Sequence, residues 1–241
     1  MEDLELAAKV HYNFLPEDYE DQRVAVAVTL RPLFIIGGDY CSVLPLDENH
    51  ILICTCDAVG HGIAAALFAA RINTYVLTHA DVEVPPCELV EGLNSYLCKR
   101  LGGTGIYASF YAMLLDFEEG TLSFTGAAHP PVLQLCSDKT TCRQWPSYAT
   151  YLGVSDPMPL DCSSECLTLS SGQRFLLYSD GLIEAQRDDG EFYGIERLSE
   201  SLEENSSLTG QNLNLALIEE SERFSQTGFE DDVLLISITI K

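Results

Sequence analysis

Acidic residues stand at a recurring position in this chain. Asp39 lies in I-I-G-G-D-Y, Asp57 in L-I-C-T-C-D-A-V-G-H-G, Asp180 in F-L-L-Y-S-D-G-L, and the pair Asp231-Asp232 in G-F-E-D-D-V-L-L-I. Each sits where an apolar, strand-like run ends or breaks, in most cases beside glycine. A strand terminus fixes a short carboxylate on a rigid element, and an adjacent glycine lets backbone carbonyls or water approach, which is what an oxygen-ligated cation needs. Asp and Gly are also ordinary turn formers, so any one of these positions alone could be a simple strand end. If the positions converge, the crowded carboxylates raise one another's pKa, and a divalent cation supplies the missing counter-charge. Two cations about 3.5–4 Å apart, sharing a carboxylate, are a standard device for hydrolysing phosphate esters. The chemistry suggested is metal-assisted phosphoryl hydrolysis.

The elements that must hold these residues can be read from periodicity. Asp3 to Leu15 places Leu4, Ala7, Ala8, His11 and Leu15 on one helical stripe that Pro16 ends. Val24 to Leu30 reads as a strand, and a second run, Leu33 to Ile36, leads into Gly37-Gly38. Ile51 to Cys56 is a buried strand that opens at Asp57 into Gly60, His61 and Gly62. An Ala-rich helix, Ile63 to Thr78, follows, and then a second helix, Cys87 to Leu101, placed after Pro85-Pro86. Strands are expected over Tyr107 to Phe117, Gly120 to Gly126, Val132 to Cys136, Gln173 to Tyr178 and Asp232 to Ile240, with helices over Ile195 to Leu202 and Leu213 to Phe224. This order predicts an α+β fold with antiparallel sheets. No linker, repeat or shift of composition divides the 241 residues, so one large domain is expected.

Composition narrows the function. Apolar residues make up 46% of the chain, enough for a packed core and against global disorder. With 13 basic and 37 acidic residues the net charge is −24, which repels nucleic-acid backbones and anionic lipid. Neither nucleic acid nor a membrane is an expected partner. The nine cysteines include no C-x-x-C; the nearest pairs are Cys54/Cys56 and Cys162/Cys166, and no histidine lies close to Cys162 or Cys166 to complete a zinc site. They read as reduced thiols. The start, M-E-D-L-E-L-A-A-K, is unlike a signal peptide, and no stretch approaches the ~18 apolar residues of a membrane span. A soluble, cytoplasmic protein is expected.

At these same segments the chain resembles the metal-dependent serine/threonine protein phosphatases of type 2C, in the bacterial branch typified by stage II sporulation protein E and the sigma-B regulatory phosphatases. The matching stretches, in order, are A-x-x-V-H-Y-N-F-L-P ending at Pro16, G-G-D-Y (37 to 40), C-D-A-V-G-H-G-I-A-A-A-L (56 to 67) and F-Y-A-M-L-L-D (110 to 116). They continue with G-A-A-H-P-P (126 to 131), L-L-Y-S-D-G-L-I-E-A (176 to 185), D-G-E-F-Y-G (189 to 194) and E-D-D-V (230 to 233). Together they span nearly the whole chain.

The resemblance implies a four-layer αββα sandwich, two antiparallel sheets flanked by helices, with residues 17–241 as the phosphatase domain and residues 1–16 as a regulatory or linker helix. It implies two divalent cations, Mn²⁺ or Mg²⁺. Asp57 would bridge them, the Ala58 carbonyl would add to the second, and Asp180 and Asp231 would hold the first. Asp39 would orient water at the metals or ligate weakly, and Asp232 would hydrogen-bond its neighbours. The implied reaction is in-line attack of activated water on phosphoserine or phosphothreonine, with no covalent enzyme intermediate. His61, at the mouth of a helix, could serve as general acid for the leaving serine oxygen or could support the loop. His129 reads as a structural residue in a turn before two prolines. The chain departs from the branch at Ser42, where a second Asp is usual, and at Leu234, where Thr is usual; both bear on metal affinity. Ala58 stands where other members carry Gly or Val, and acts through its carbonyl alone.

In this branch a sensor domain commonly precedes the phosphatase and a helix relays its state. Here that helix is Asp3 to Leu15, so the enzyme either acts alone or is switched by an activating partner that grips the helix. The helices after Asp57 form a candidate two-state element. The implied substrate is a phosphorylated regulatory protein of the anti-sigma antagonist type. The alternative is a catalytically weak or inactive module of the same fold that binds phosphoproteins. A hydrolase of small phosphate esters would want a phosphate-cradling G-x-x-x-x-G-K-[ST], which is absent.

Overall fold

The computed structural model describes residues 2–13, 15–138, 140–159 and 166–241. In chain order the elements are α1 (Glu2–Tyr12), β1 (Tyr19–Glu20), β2 (Val24–Arg31), β3 (Tyr40–Pro45), β4 (His50–Ala58), α2 (Ile63–His79), α3 (Pro86–Leu101), β5 (Ala108–Asp116) and β6 (Thr121–Ala127). They continue with β7 (Val132–Leu135), β8 (Cys142–Trp145), β9 (Cys166–Thr168), β10 (Arg174–Tyr178), α4 (Asp180–Ile183), α5 (Gly194–Glu204), α6 (Gly210–Ser225) and β11 (Val233–Ile240). The fold is α+β, and every strand pair in its two sheets is antiparallel. Among the described residues no helix is long and apolar enough to cross a membrane.

The chain divides into two compact units, each discontinuous in sequence. The first comprises Met1–Pro16, Phe34–His129 and Pro146–Leu169. Its sheet runs β3-β4-β5-β6-β9. Residues of β4 and β5 that share one face (Leu52, Cys54, Cys56, Ala58; Ala108, Phe110, Ala112) pack against Phe68, Ile72 and Val76 of α2 and Leu93 and Leu97 of α3. α2 forms because its Ala-rich run favours helix and Gly62, at φ +77°, makes the sharp entry that a side chain would strain. α3 starts on Pro86, which needs no amide partner in the first turn. α1 rests on the unit through Ala8, packed with Ile36 and Ala66.

The second unit comprises Glu17–Leu33, Pro130–Trp145 and Ser170–Lys241. Its sheet order is β1-β2-β11-β10-β7-β8. Leu133, Leu135, Leu176, Tyr178, Val233 and Leu235 form a core with Leu198 and Leu202 of α5 and Leu213, Leu217 and Ile218 of α6. The fully buried Asn214 on α6 is held by β2, donating from Nδ2 to the Ala27 carbonyl (3.1 Å) and to Thr29 Oγ1 (3.1 Å).

Three readings need correcting. Leu33 to Ile36 is a series of bends, not a strand, with Leu33, Phe34 and Ile35 exposed; β-branched and aromatic composition favours a strand only where a partner strand is available. The helix at the start ends at Tyr12, ahead of Leu15; Phe14 lies outside the described residues. Cys41, Cys54, Cys56, Cys98, Cys136, Cys142 and Cys166 are free, but Cys87 is disulfide-bonded, because pairing follows proximity in the fold and not spacing along the chain. Cys162 lies outside the described residues.

Candidate functional site

Each unit brings part of the predicted set together. In the first, β3 and β4 pair with Tyr40 opposite Cys56, so Asp39 and Asp57 lie at the same end of the hairpin. Both carboxylates bear on one thiol: burial, then Asp57, then Asp39 push Cys56 well above its ordinary value. Asp39 is buried at 3% exposure and Asp57 is partly exposed. Between them the backbone is tightly nested. A Cβ added to Gly38 would come within 2.8 Å of the Ala58 carbonyl oxygen and 3.1 Å of the Ala65 Cβ. Glycine is therefore required here by close approach, and the G-G-D-Y turn holds Asp39 beside the Asp57-Ala58 backbone. On β3, Tyr40 donates to Asn73 Oδ1 of α2 (2.9 Å), tying this turn to the helix that follows the Asp57 loop.

The second unit brings the chain segments that carry Asp180, Asp231 and Asp232 together where β10 meets β11. Ser179 links the two segments: its amide donates to the Leu234 carbonyl (3.0 Å), its Oγ donates to the Asp232 carbonyl (3.1 Å) and accepts from the Leu234 amide (2.9 Å). Gly181 permits the contact, since a Cβ there would fall 2.2 Å from the Asp232 carbonyl oxygen and 3.3 Å from the Asp231 Cβ. Asp231 Oδ1 accepts from the Asp232 amide (2.7 Å), and Asp232 Oδ1 accepts from the Leu33 amide (2.7 Å). Both carboxylates thus accept from a backbone amide, and Asp231 is the one of the two whose charge bears on Asp180. Burial, then the charges of Glu184 and Asp231, raise the Asp180 carboxyl to about 6.

Glu184 was not singled out in the sequence, although its place four residues after Asp180, on the next helical turn, was a usable signal. Ser179, read only as part of a motif, is the residue that aligns the two acidic segments.

The remaining candidates are also placed. His61 is exposed, its ring against Phe34 with centroids 4.8 Å apart and the planes tilted by 31°. His129 is buried, edge-on to Tyr111 at 5.8 Å; its amide donates to Ser147 Oγ (3.1 Å), which in turn donates to the His129 carbonyl (2.8 Å). Ser42 is buried opposite Cys54, and Leu234 is fully buried in β11. Among the described residues, no group of three or more His, Cys, Asp or Glu side chains is assembled for a metal ion.

The profile of stage II sporulation protein E (SpoIIE) matches residues 47–241 of this sequence. The chain belongs to the SpoIIE family. Similar proteins include Protein IcfG of Synechocystis, 22% identical over 98% of this chain and 41% of the relative. Phosphoserine phosphatase RsbP of Bacillus subtilis is 24% identical over 76% of this chain and 45% of the relative. The chain thus spans under half the length of these two relatives. Solved structures show the type 2C phosphatase fold. The SiaA-PP2C domain of Pseudomonas aeruginosa superposes with TM-score 0.83 at 17% identity, covering 100% of this chain and 96% of that one. The serine/threonine phosphatase PstP, determined with 2 manganese ions, superposes with TM-score 0.62 at 16% identity, covering 90% and 98%.

Proposed function

We propose that this chain is a metal-dependent serine/threonine protein phosphatase whose site uses Asp57, the Ala58 carbonyl, Asp180 and Asp231 to hold two divalent cations, Mn²⁺ or Mg²⁺, with Asp39 beside them. The observation that carries this reading is the meeting of the Asp180 and Asp231 segments where β10 joins β11, fastened by Ser179 and by the close approach at Gly181; burial, then Glu184 and Asp231, push the Asp180 carboxyl up to about 6 there. The donors fit a hard cation: every one is an oxygen, and the nests at Gly38 and Gly181 leave no room for a side chain beside the Ala58 carbonyl and the Asp231-Asp232 backbone. When bound, such cations neutralise phosphoryl oxygens and lower the pKa of water.

The chain's own residues do the rest. Asp180 and Asp231 present two carboxylates from segments locked by Ser179, so their spacing does not depend on a flexible loop. Asp57 presents one from a strand end, with Asp39 held next to it to accept a hydrogen bond from attacking water. The exposed His61 either protonates the leaving serine oxygen or braces the loop through Phe34. His61→Gln separates these, because loss of an acid removes one limb of the pH profile and loss of a brace lowers rate at every pH.

RsbP is a phosphoserine phosphatase, which supports phosphoserine as the substrate here; the protein proposed to carry it is a phosphorylated regulator of the anti-sigma antagonist type. Residues 1–16 are proposed as the regulatory helix. The exposed Leu6 and Val10 of α1, with Ile63 and Leu67 of α2, line an apolar groove of about 390 Å³ that an activating partner could grip. The test is metal-dependent phosphate release from p-nitrophenyl phosphate and from a phosphoserine peptide. Activity with Mn²⁺ that Asp57→Asn abolishes is expected; phosphopeptide binding without turnover by the unaltered chain would refute the enzyme.

A further inference from the structure

The pleat of the first sheet separates two lines of residues near Asp57. Ala58, its partner Ala108, and Leu152, which exchanges both backbone hydrogen bonds with Ala108, all lie in the core under α2 and α3. The alternate positions fall on the opposite face. There Asp57 pairs with Ser109, and the register continues one step further, the Val59 amide donating to the Tyr107 carbonyl at 3.0 Å. Tyr151, preceding Leu152, meets the Tyr107 ring edge-on, centroids 5.0 Å apart. Val59, Tyr107 and Tyr151 therefore extend the face that carries Asp57, about 7 Å along the strand from it. They are not core residues. Exposure runs from 36% at Tyr107 through 38% at Val59 to 45% at Tyr151, and reaches 61% at neighbouring Val154.

The second observation is charge. The chain carries −24, yet residues 58–70, 101–115 and 144–155, the segments that build this surface, contain no Asp, Glu, Lys or Arg. A phosphorylated segment brings its own negative charge and would be repelled by most of this protein. Here it meets none. Tyrosine suits such a role, because it offers a large apolar face at low entropic cost and keeps its hydroxyl wet.

On the phosphatase reading above, we propose that Val59, Tyr107 and Tyr151 seat the polypeptide flanking the phosphorylated serine, and that this seat selects substrates with uncharged, apolar neighbours at that serine. The occupant is a substrate segment, not a second copy of the chain, since the surface continues directly from Asp57.

Two fluorescent peptides carrying the non-hydrolysable phosphonate analogue of phosphoserine test this, one flanked by Leu and Phe and one by Glu, with binding read by anisotropy in Mn²⁺. The apolar peptide should bind about tenfold more tightly, and the advantage should fall below about threefold in Tyr107→Ala and Tyr151→Ala and return in Tyr151→Phe. Equal binding of the two peptides, or an advantage that survives Tyr151→Ala in protein with an unchanged circular dichroism spectrum, overturns the proposal. So does self-association that Tyr151→Ala abolishes, which would make a second copy the occupant. Phosphate release from the matching phosphoserine peptides is measured separately. Peptide preference without turnover supports the seat and sinks the enzyme; turnover without preference does the reverse.

Discussion

Asp180 is the residue at which electrostatics and function are most closely joined. Its folded pKa of about 6 lies above the ordinary 3.8, so between these values the folded chain binds more protons than the unfolded one. Without metal, stability should accordingly fall as pH rises from about 4 to about 6 and level off above. Denaturant melts at several pH values in EDTA check this. On the proposed function cations compete with protons for the same carboxylate, so Mn²⁺ affinity by calorimetry should weaken as pH drops through about 6. Gly181 supplies a second test. Gly181→Ala drives a Cβ to 2.2 Å from the Asp232 carbonyl oxygen, and the segments must part. A stability loss of about 1–3 kcal/mol is expected, and displacement of Asp180 from Asp231 should reduce phosphate release on the order of 100-fold. Activity lost out of proportion to stability is the signature.

At the scale of elements, each acidic group is held by a junction between strand and turn, not by a strand alone. The β3–β4 hairpin carries Asp39 and Asp57, and the start of α2 follows within a turn of Gly62. α1 reaches this region through Ala8, which is buried against Ile36 and Ala66. Ile36 immediately precedes Gly37-Gly38-Asp39 and Ala66 adjoins Ala65, the residue packed on Gly38. Ala8→Asp should lift α1 from this contact, because an unpaired carboxylate cannot be buried there. Mn²⁺ affinity should change while the melting temperature of the remaining fold stays close to that of the parent chain; an unchanged calorimetric titration would show that α1 does not report to the site.

For the molecule as a whole, 37 acidic residues against 13 basic ones impose a standing self-repulsion. Added monovalent salt should raise the melting temperature as the screening length shrinks to about 8 Å at 0.15 M. Mn²⁺ should act at far lower concentration than Na⁺ if it binds a site and does not merely screen. Scanning calorimetry with each salt separates the two effects.

The sequence by itself determined the α+β class, the antiparallel pairing and the acidic strand ends, because these rest on local facts: periodicity, the Ala-rich run after Gly62, proline at a helix start, and short Asp-Gly motifs. It also identified the family frame, since the motifs fall in order along the chain. It misread Leu33 to Ile36, where an apolar run has no strand to pair with, and it passed over β3, whose mixed Y-C-S-V-L-P run becomes a strand only beside β4. What only the tertiary structure decided was contact: that Gly38 nests on the Ala58 carbonyl, that Ser179 fastens Asp180 to the Asp231-Asp232 segment, and that Cys87 is not a free thiol. These depend on which distant segments become neighbours. No spacing along a chain encodes that directly, because the approach is set by packing of whole elements and not by the residues that finally touch.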